Sequence, residues 1–158
     1  MATGNPQSAL PAADLAAVLC VSPFEADHVL IEHAFRHSNW KVHAVRSSRE
    51  ALAWLSSKPT PVVLCEESLP DGTWKDMLTS VAAMPGSPVL IVTSRLADNI
   101  LWAEVLNLGA YDLLMKPLDA TEVFRVVSLA WRHWKNNWEK ARAANEALGT
   151  ATARATRG

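Results

Sequence analysis

A chain of 158 residues with 49% hydrophobic and 20% charged content has the composition of one globular domain with tails, and neither a fibrous nor a disordered protein. A formal net charge of −1 supplies no overall field for capturing nucleic acid. No basic residue precedes Arg36 and the apolar run from Leu15 to Val21 is too short to span a bilayer, so neither a signal peptide nor a membrane span is read and a cytoplasmic location is expected.

Residues 1–13 mix Ala, Pro, Gly, Ser and Asn without periodicity and read as a flexible arm ahead of a domain over 14–134. The run from Leu15 to Val21 is a buried strand, and Ser22-Pro23-Phe24-Glu25 then reads as a capping box with proline at the first helical position. The helix that follows, to about Arg36, places Val29, Leu30, His33 and Ala34 on one face. Trp40 to Val45 alternates as an edge strand does, and Ser47 with Glu50 repeats the capping spacing ahead of a second helix.

Pro61 opens a central strand, Val62 to Cys65, which runs into Glu66-Glu67-Ser68-Leu69 and a Pro70-Asp71-Gly72 break. A carboxylate at the carboxyl end of a strand is where open α/β sheets keep their chemistry. Trp74 to Met84 is a third helix, Pro88 to Thr93 the cleanest buried strand, and Asp98 to Leu108 a fourth helix apolar on more than one stripe. Gly109-Ala110 ends it, Tyr111 to Met115 is the fifth strand, and Asp119 with Glu122 caps a last helix. Strands alternating with helices predict an α/β fold, a parallel sheet covered on both faces. Cys20 and Cys65 end apolar runs without metal-ligand spacing and read as reduced core residues.

Three segments, Leu69-Pro70-Asp71-Gly72, Pro88 to Ser94, and Gly109 to Pro117, each at a strand end and in this order, resemble the receiver domain of two-component response regulators over about residues 15–134. The resemblance implies a five-stranded, doubly wound, flavodoxin-like sheet of order 2-1-3-4-5. It also implies an acceptor Asp four residues before Pro70, Mg²⁺ held by that Asp and by an acidic pair after the first strand, and a hydroxyl, an aromatic and a lysine that form the switch. In this chain Glu66 stands at the acceptor position, Ser22 and Pro23 at the acidic pair, Thr93 at the hydroxyl, Leu113 at the aromatic and Lys116 at the lysine.

Neither Ser22 nor Pro23 offers a carboxylate to a hard cation, so no metal and no cofactor are expected. Glu25 and Asp27 are read as belonging to the helix start; the lesser reading has one of them reach back into the site. The extra methylene of Glu66 displaces its carboxylate from the position of in-line attack, and an ion pair between Glu66 and Lys116 is expected instead. No residue is read as catalytic, and the chain is not read as an enzyme. A leucine at 113 offers no ring to swing, so coupling from the site to the outer face is expected to be broken or static.

The last helix lacks Gly and Pro from Asp119 to Leu148, roughly 43 Å at ~1.5 Å per residue, and is expected to overhang the domain over 135–148, with a disordered tail over 149–158. Phe124, Val127, Trp131, Trp134, Trp138, Ala141 and Leu148 form a heptad-like seam interrupted at Asn145. Exposed tryptophans on it, with Trp102 and Leu106 of the fourth helix, are read as an interface. Homodimerisation is the first expectation, ahead of a different protein partner or a helix folded back on its own domain. Arg132, Lys135, Lys140 and Arg142, set against Glu139 and Glu146, read as a solvated face and not as a nucleic-acid site. The expected function is a phosphorylation-independent signalling and protein-interaction module; the alternative is a phosphorylatable receiver that uses a neighbouring acid such as Glu67 or Asp71.

Overall fold

The computed structural model describes residues 16–96 and 98–157, so the expected arm over 1–13 lies outside the described residues. Among the described residues seven strands and five helices follow in order: β1 Ala17–Val21, α1 Glu25–Phe35, β2 Lys41–Val45, α2 Ser48–Ser57, β3 Val62–Glu66, β4 Ser68–Leu69, β5 Gly72–Thr73, α3 Trp74–Ala82, β6 Val89–Ser94, α4 Asn99–Asn107, β7 Asp112–Met115 and α5 Ala120–Arg157. Five strands pair in parallel in the order β2-β1-β3-β6-β7, which is the expected 2-1-3-4-5 topology, and β4 with β5 makes a separate two-stranded hairpin out of the Leu69 to Gly72 break. Glu66 lies opposite Thr93 in the β3–β6 register.

Alternation along each strand sends side chains to two cores. Leu19, Val21, Val63, Cys65, Val92 and Leu113 pack toward α2 and α3, whereas Val18, Cys20, Leu64, Ile91 and Leu114 pack under α1 and α5. The two cysteines therefore lie on opposite faces of the sheet. Burial pushes the Cys20 thiol up to about 12, helped by the Asp27 carboxylate, and raises Cys65 further still, so neither is a thiolate at neutral pH.

Caps at Ser47 and Asp119 form as expected, and Asp98, read as the first helical residue, caps α4 as well, each accepting a backbone N–H of the first turn. The first helix differs. Its N-cap is Phe24, which makes no side-chain cap bond, and the helix begins at Glu25. Its buried face is Asp27, Ile31 and Phe35, while Val29 is exposed. The apolar pattern alone misplaces the face because an aspartate occupies one of its inward positions.

The last helix also departs from expectation. It runs for 38 residues, about 57 Å, and continues to Arg157 through the stretch read as a disordered tail. Trp134 is 5% exposed, and its Nε1 donates to the Gly86 carbonyl at 2.6 Å. Gly86 sits in the turn between α3 and β6, with φ of 79°, and this turn supplies a wall beyond the sheet that the heptad pattern could not reveal. Trp134 is thus a core residue, correcting its reading as part of an exposed interface. Trp131 is half-buried and meets Trp40 edge-on at 6.1 Å, and Trp138 stacks on Trp134 at 6.1 Å. Beyond Trp138 the described side chains of α5 are all exposed.

Truncation of a buried tryptophan removes both transfer free energy and packing. Trp134→Ala is expected to lower stability by about 3–5 kcal/mol, whereas Trp138→Ala, which loses mainly a ring stack, is expected to lower it by about 1 kcal/mol. Urea unfolding of the two variants checks the difference.

Candidate functional site

The carboxyl ends of β1, β3, β6 and β7 converge, as the crevice rule for open α/β sheets requires. Glu66 ends β3, Thr93 lies beside it on β6, Ser22 follows β1 and Lys116 follows β7. Because Leu64, Ile91 and Leu114 face α1 and α5, Glu66, Thr93 and Lys116, each two positions on, face the same way. Asp27, on the inner face of α1, meets them.

Lys116 Nζ stands 2.5 Å from Glu66 Oε2 and 2.5 Å from Asp27 Oδ2. Thr93 Oγ1 donates to Glu66 Oε2 at 2.9 Å, and Ser22 Oγ donates to Asp27 Oδ2 at 2.5 Å. The Phe24 ring covers the ammonium, its centroid 4.7 Å from Nζ, and the Arg95 guanidinium lies 5.6 Å from the same ring. Phe24 is held there by its own N–H, which donates to Ser22 Oγ at 3.1 Å. The Lys116 side chain is only 4% exposed, an enclosure that would cost several kcal/mol per ion without such partners. Among the described residues no buried side-chain nitrogen or oxygen lacks a hydrogen-bond partner.

The expected Glu66–Lys116 pair therefore forms, and two readings of the first loop are corrected. Ser22 does not cap α1; it is buried and bonds Asp27. Asp27 is the carboxylate that reaches into the site, the lesser of the two sequence expectations, because a turn of chain after β1 lets the inner face of α1 look back at the strand ends. Glu25 turns outward to Arg46, and the Pro23 carbonyl accepts from Arg46 as well. Leu113 packs in the opposite core, away from the network. Trp102 is half exposed and Leu106 partly so on α4, whose single buried residue is Val105.

The Mg²⁺ that the resemblance implies does not fit these residues. Both carboxylates that face the site spend an oxygen on the Lys116 ammonium, and Ser22 and Pro23 add no anionic ligand. Among the described residues no group of three or more His, Cys, Asp or Glu side chains is placed to hold a metal ion. No helix there is long and apolar enough to cross a membrane.

Asp71, in the break after β3, is committed elsewhere. Its two carboxylate oxygens accept the Ser48 and Arg49 backbone N–H groups at 2.9 Å each, capping α2 from another loop. Those bonds hold its carboxyl below the usual carboxylate range.

A model of the response regulator receiver domain matches residues 18–128. Among curated relatives, the two-component response regulator ORR5 of Oryza sativa subsp. japonica is 29% identical over 119 residues, covering 73% of this chain and 88% of that protein. ORR7 of the same rice is 28% identical over 115 residues, 70% of this chain and 54% of that protein. The response regulator protein PilR of Pseudomonas aeruginosa is 29% identical over 122 residues, which span 76% of this chain and 27% of PilR. Solved structures share the fold: the signal receiver domain of an HD domain-containing protein from Pseudomonas fluorescens Pf-5 has a TM-score of 0.71 at 23% identity, covering 78% of this chain and 91% of that one. A CheY-like receiver domain protein from Methanospirillum hungatei has a TM-score of 0.70 at 18% identity, covering 78% and 99%.

The Asp71 cap makes a pH-dependent prediction. A carboxylate whose folded pKa is depressed contributes stability that is present above its unfolded pKa and lost as pH falls through the folded one. Asp71→Ala is expected to cost about 1 kcal/mol at neutral pH, with the gap to the parent chain closing as pH drops below about 4. Denaturant titrations at a series of pH values measure it.

Proposed function

The chain belongs to the response regulator receiver domain family, signalling modules that act through partner proteins, and we propose that it does so without a phosphorylation cycle. The observation that carries this reading is the Lys116 ammonium bound between Asp27 and Glu66, with Thr93 already bonded to Glu66. An acceptor must present a free carboxylate oxygen in line with the incoming phosphoryl group. Glu66 has one oxygen shared by a lysine and a threonine inside a largely buried network. The neighbouring acid Asp71 is spent on capping α2, which weighs against the alternative of a displaced acceptor.

In this reading the site has a single, static arrangement. The hydroxyl of Thr93 is satisfied by Glu66, and Leu113 fills its place in the opposite core, so no movable ring links site to surface. Output then comes from surfaces held in one state. The α4 face, with Ile100, Trp102 and Leu106 exposed, and the part of α5 beyond Trp134 are the surfaces offered. Two copies pair through the overhang of α5, whose Trp138, Ala141 and Leu148 continue the seam.

Incubation with acetyl phosphate and Mg²⁺ is expected to leave no acid-labile phosphate on the intact chain or on Glu66→Asp; saturable labelling of the intact chain overturns the reading. For assembly, sedimentation at tens of micromolar is expected to give a dimer for the intact chain and a folded monomer for a chain ending at Glu139. Trp138→Ala is expected to weaken the dimer by about 2 kcal/mol, as loss of a buried aromatic anchor does; monomers throughout would leave a different protein as partner.

A further inference from the structure

The site holds a cation already, and it belongs to the chain. We infer that Lys116 is the resident cation of this site, standing in for the divalent metal, and that Asp27 and Phe24 are positioning residues that keep it there. Two carboxylate oxygens from different elements lie 2.5 Å from one nitrogen. That is the spacing of a hard cation's oxygen shell, about 2.3–2.6 Å for Ca²⁺ and about 2.0–2.1 Å for Mg²⁺. The oxygens are no more than twice that distance apart, so one central positive charge satisfies both, and a divalent ion would compete for the same oxygens against the ammonium's repulsion.

The surroundings are built for an ammonium rather than a hydrated metal. A Mg²⁺ ion keeps several waters, but the open side here carries an aromatic face 4.7 Å from Nζ, which attracts a cation and excludes water. Ser22 organises both walls, donating to Asp27 and accepting from the Phe24 N–H. The residue after the first strand, which offers no carboxylate of its own, thus orients the carboxylate and the lid. With the ammonium removed, Asp27 and Glu66 would face each other across an unneutralised gap, and that gap is a latent divalent site.

The assignment extends the phosphorylation-independent reading and fails separately from it. Thermal unfolding and titration calorimetry are run on the full chain, on Lys116→Met and on Asp27→Asn with Lys116→Met, with and without MgCl₂ or CaCl₂ at constant ionic strength. The intact chain is expected to show no saturable binding and an unchanged midpoint. Lys116→Met is expected to bind one divalent ion, Ca²⁺ in preference to Mg²⁺, at least about tenfold more tightly than the intact chain, with a midpoint that rises with metal as binding to the native state requires. Adding Asp27→Asn is expected to abolish that gain.

Saturable Mg²⁺ binding by the intact chain, or a folded Lys116→Met no more responsive to metal than its parent, overturns the inference; the second result leaves the proposed function standing. Amine modification read by peptide mass spectrometry is independent of whether Lys116→Met folds. In the native intact chain Lys116 is expected to resist acetylation at least about tenfold more than the exposed Lys140, and Phe24→Ala to remove most of that protection, since an ion-paired ammonium loses its shield once water enters. Equal labelling of Lys116 and Lys140 in the intact chain overturns the assignment.

Discussion

One ammonium between two carboxylates is the constraint on which the upper end of this domain depends. Lys116 arrives from β7, Glu66 from β3 and Asp27 from α1, and each is too deeply enclosed to be stable alone. Bringing them together ties the first loop, the central strand and the last strand into one unit. Ser22 and Thr93 add neutral donors to the carboxylate oxygens, so the excess negative charge is spread over hydrogen bonds.

The same network defines what the site can transmit. It occupies the α1 and α5 side of the sheet, because alternation along β3, β6 and β7 sends Glu66, Thr93 and Lys116 that way. Leu113 faces the other side, in the core under α2 and α3. A signal from the network to α4 would need an element with two arrangements that both regions bias, and in the proposed phosphorylation-independent reading Leu113 is not such an element. In that reading the exposed apolar residues of α4 form a surface that is always presented.

The long helix has two parts with different physics. From Val123 to Trp134 it closes the core over β1, β3 and β6, and its end is fixed by an indole hydrogen bond to a turn on the far side of the sheet. Past Trp138, where Arg142 lies 5.5 Å from the ring and pairs with Glu146, the described side chains of the helix are exposed on every side. Local pairs of this kind stabilise a helix by only a few tenths of a kcal/mol each, so the overhang draws most of its order from the anchored half.

Element types and the caps at Ser47 and Asp119 were legible in the sequence, because hydrophobic period, turn residues and capping spacing are local properties read over a few positions, whereas strand order and the Glu66–Lys116 pair were legible only through the resemblance to receiver domains. What tertiary structure decided were the long-range contacts. Asp27 looked like an ordinary first-turn acid until the angle of α1 turned its inner face toward β7, and Phe24 looked like a residue inside a helix until the start at Glu25 left it as the lid. Trp134 looked exposed until the turn at Gly86 met it, since a seam in one helix carries no record of a loop 48 residues earlier in the chain. Asp71 could be read as a turn residue, but not as the cap of α2, for the same reason: the partner of a buried or capping polar group is set by where distant segments meet in space, which no local pattern encodes.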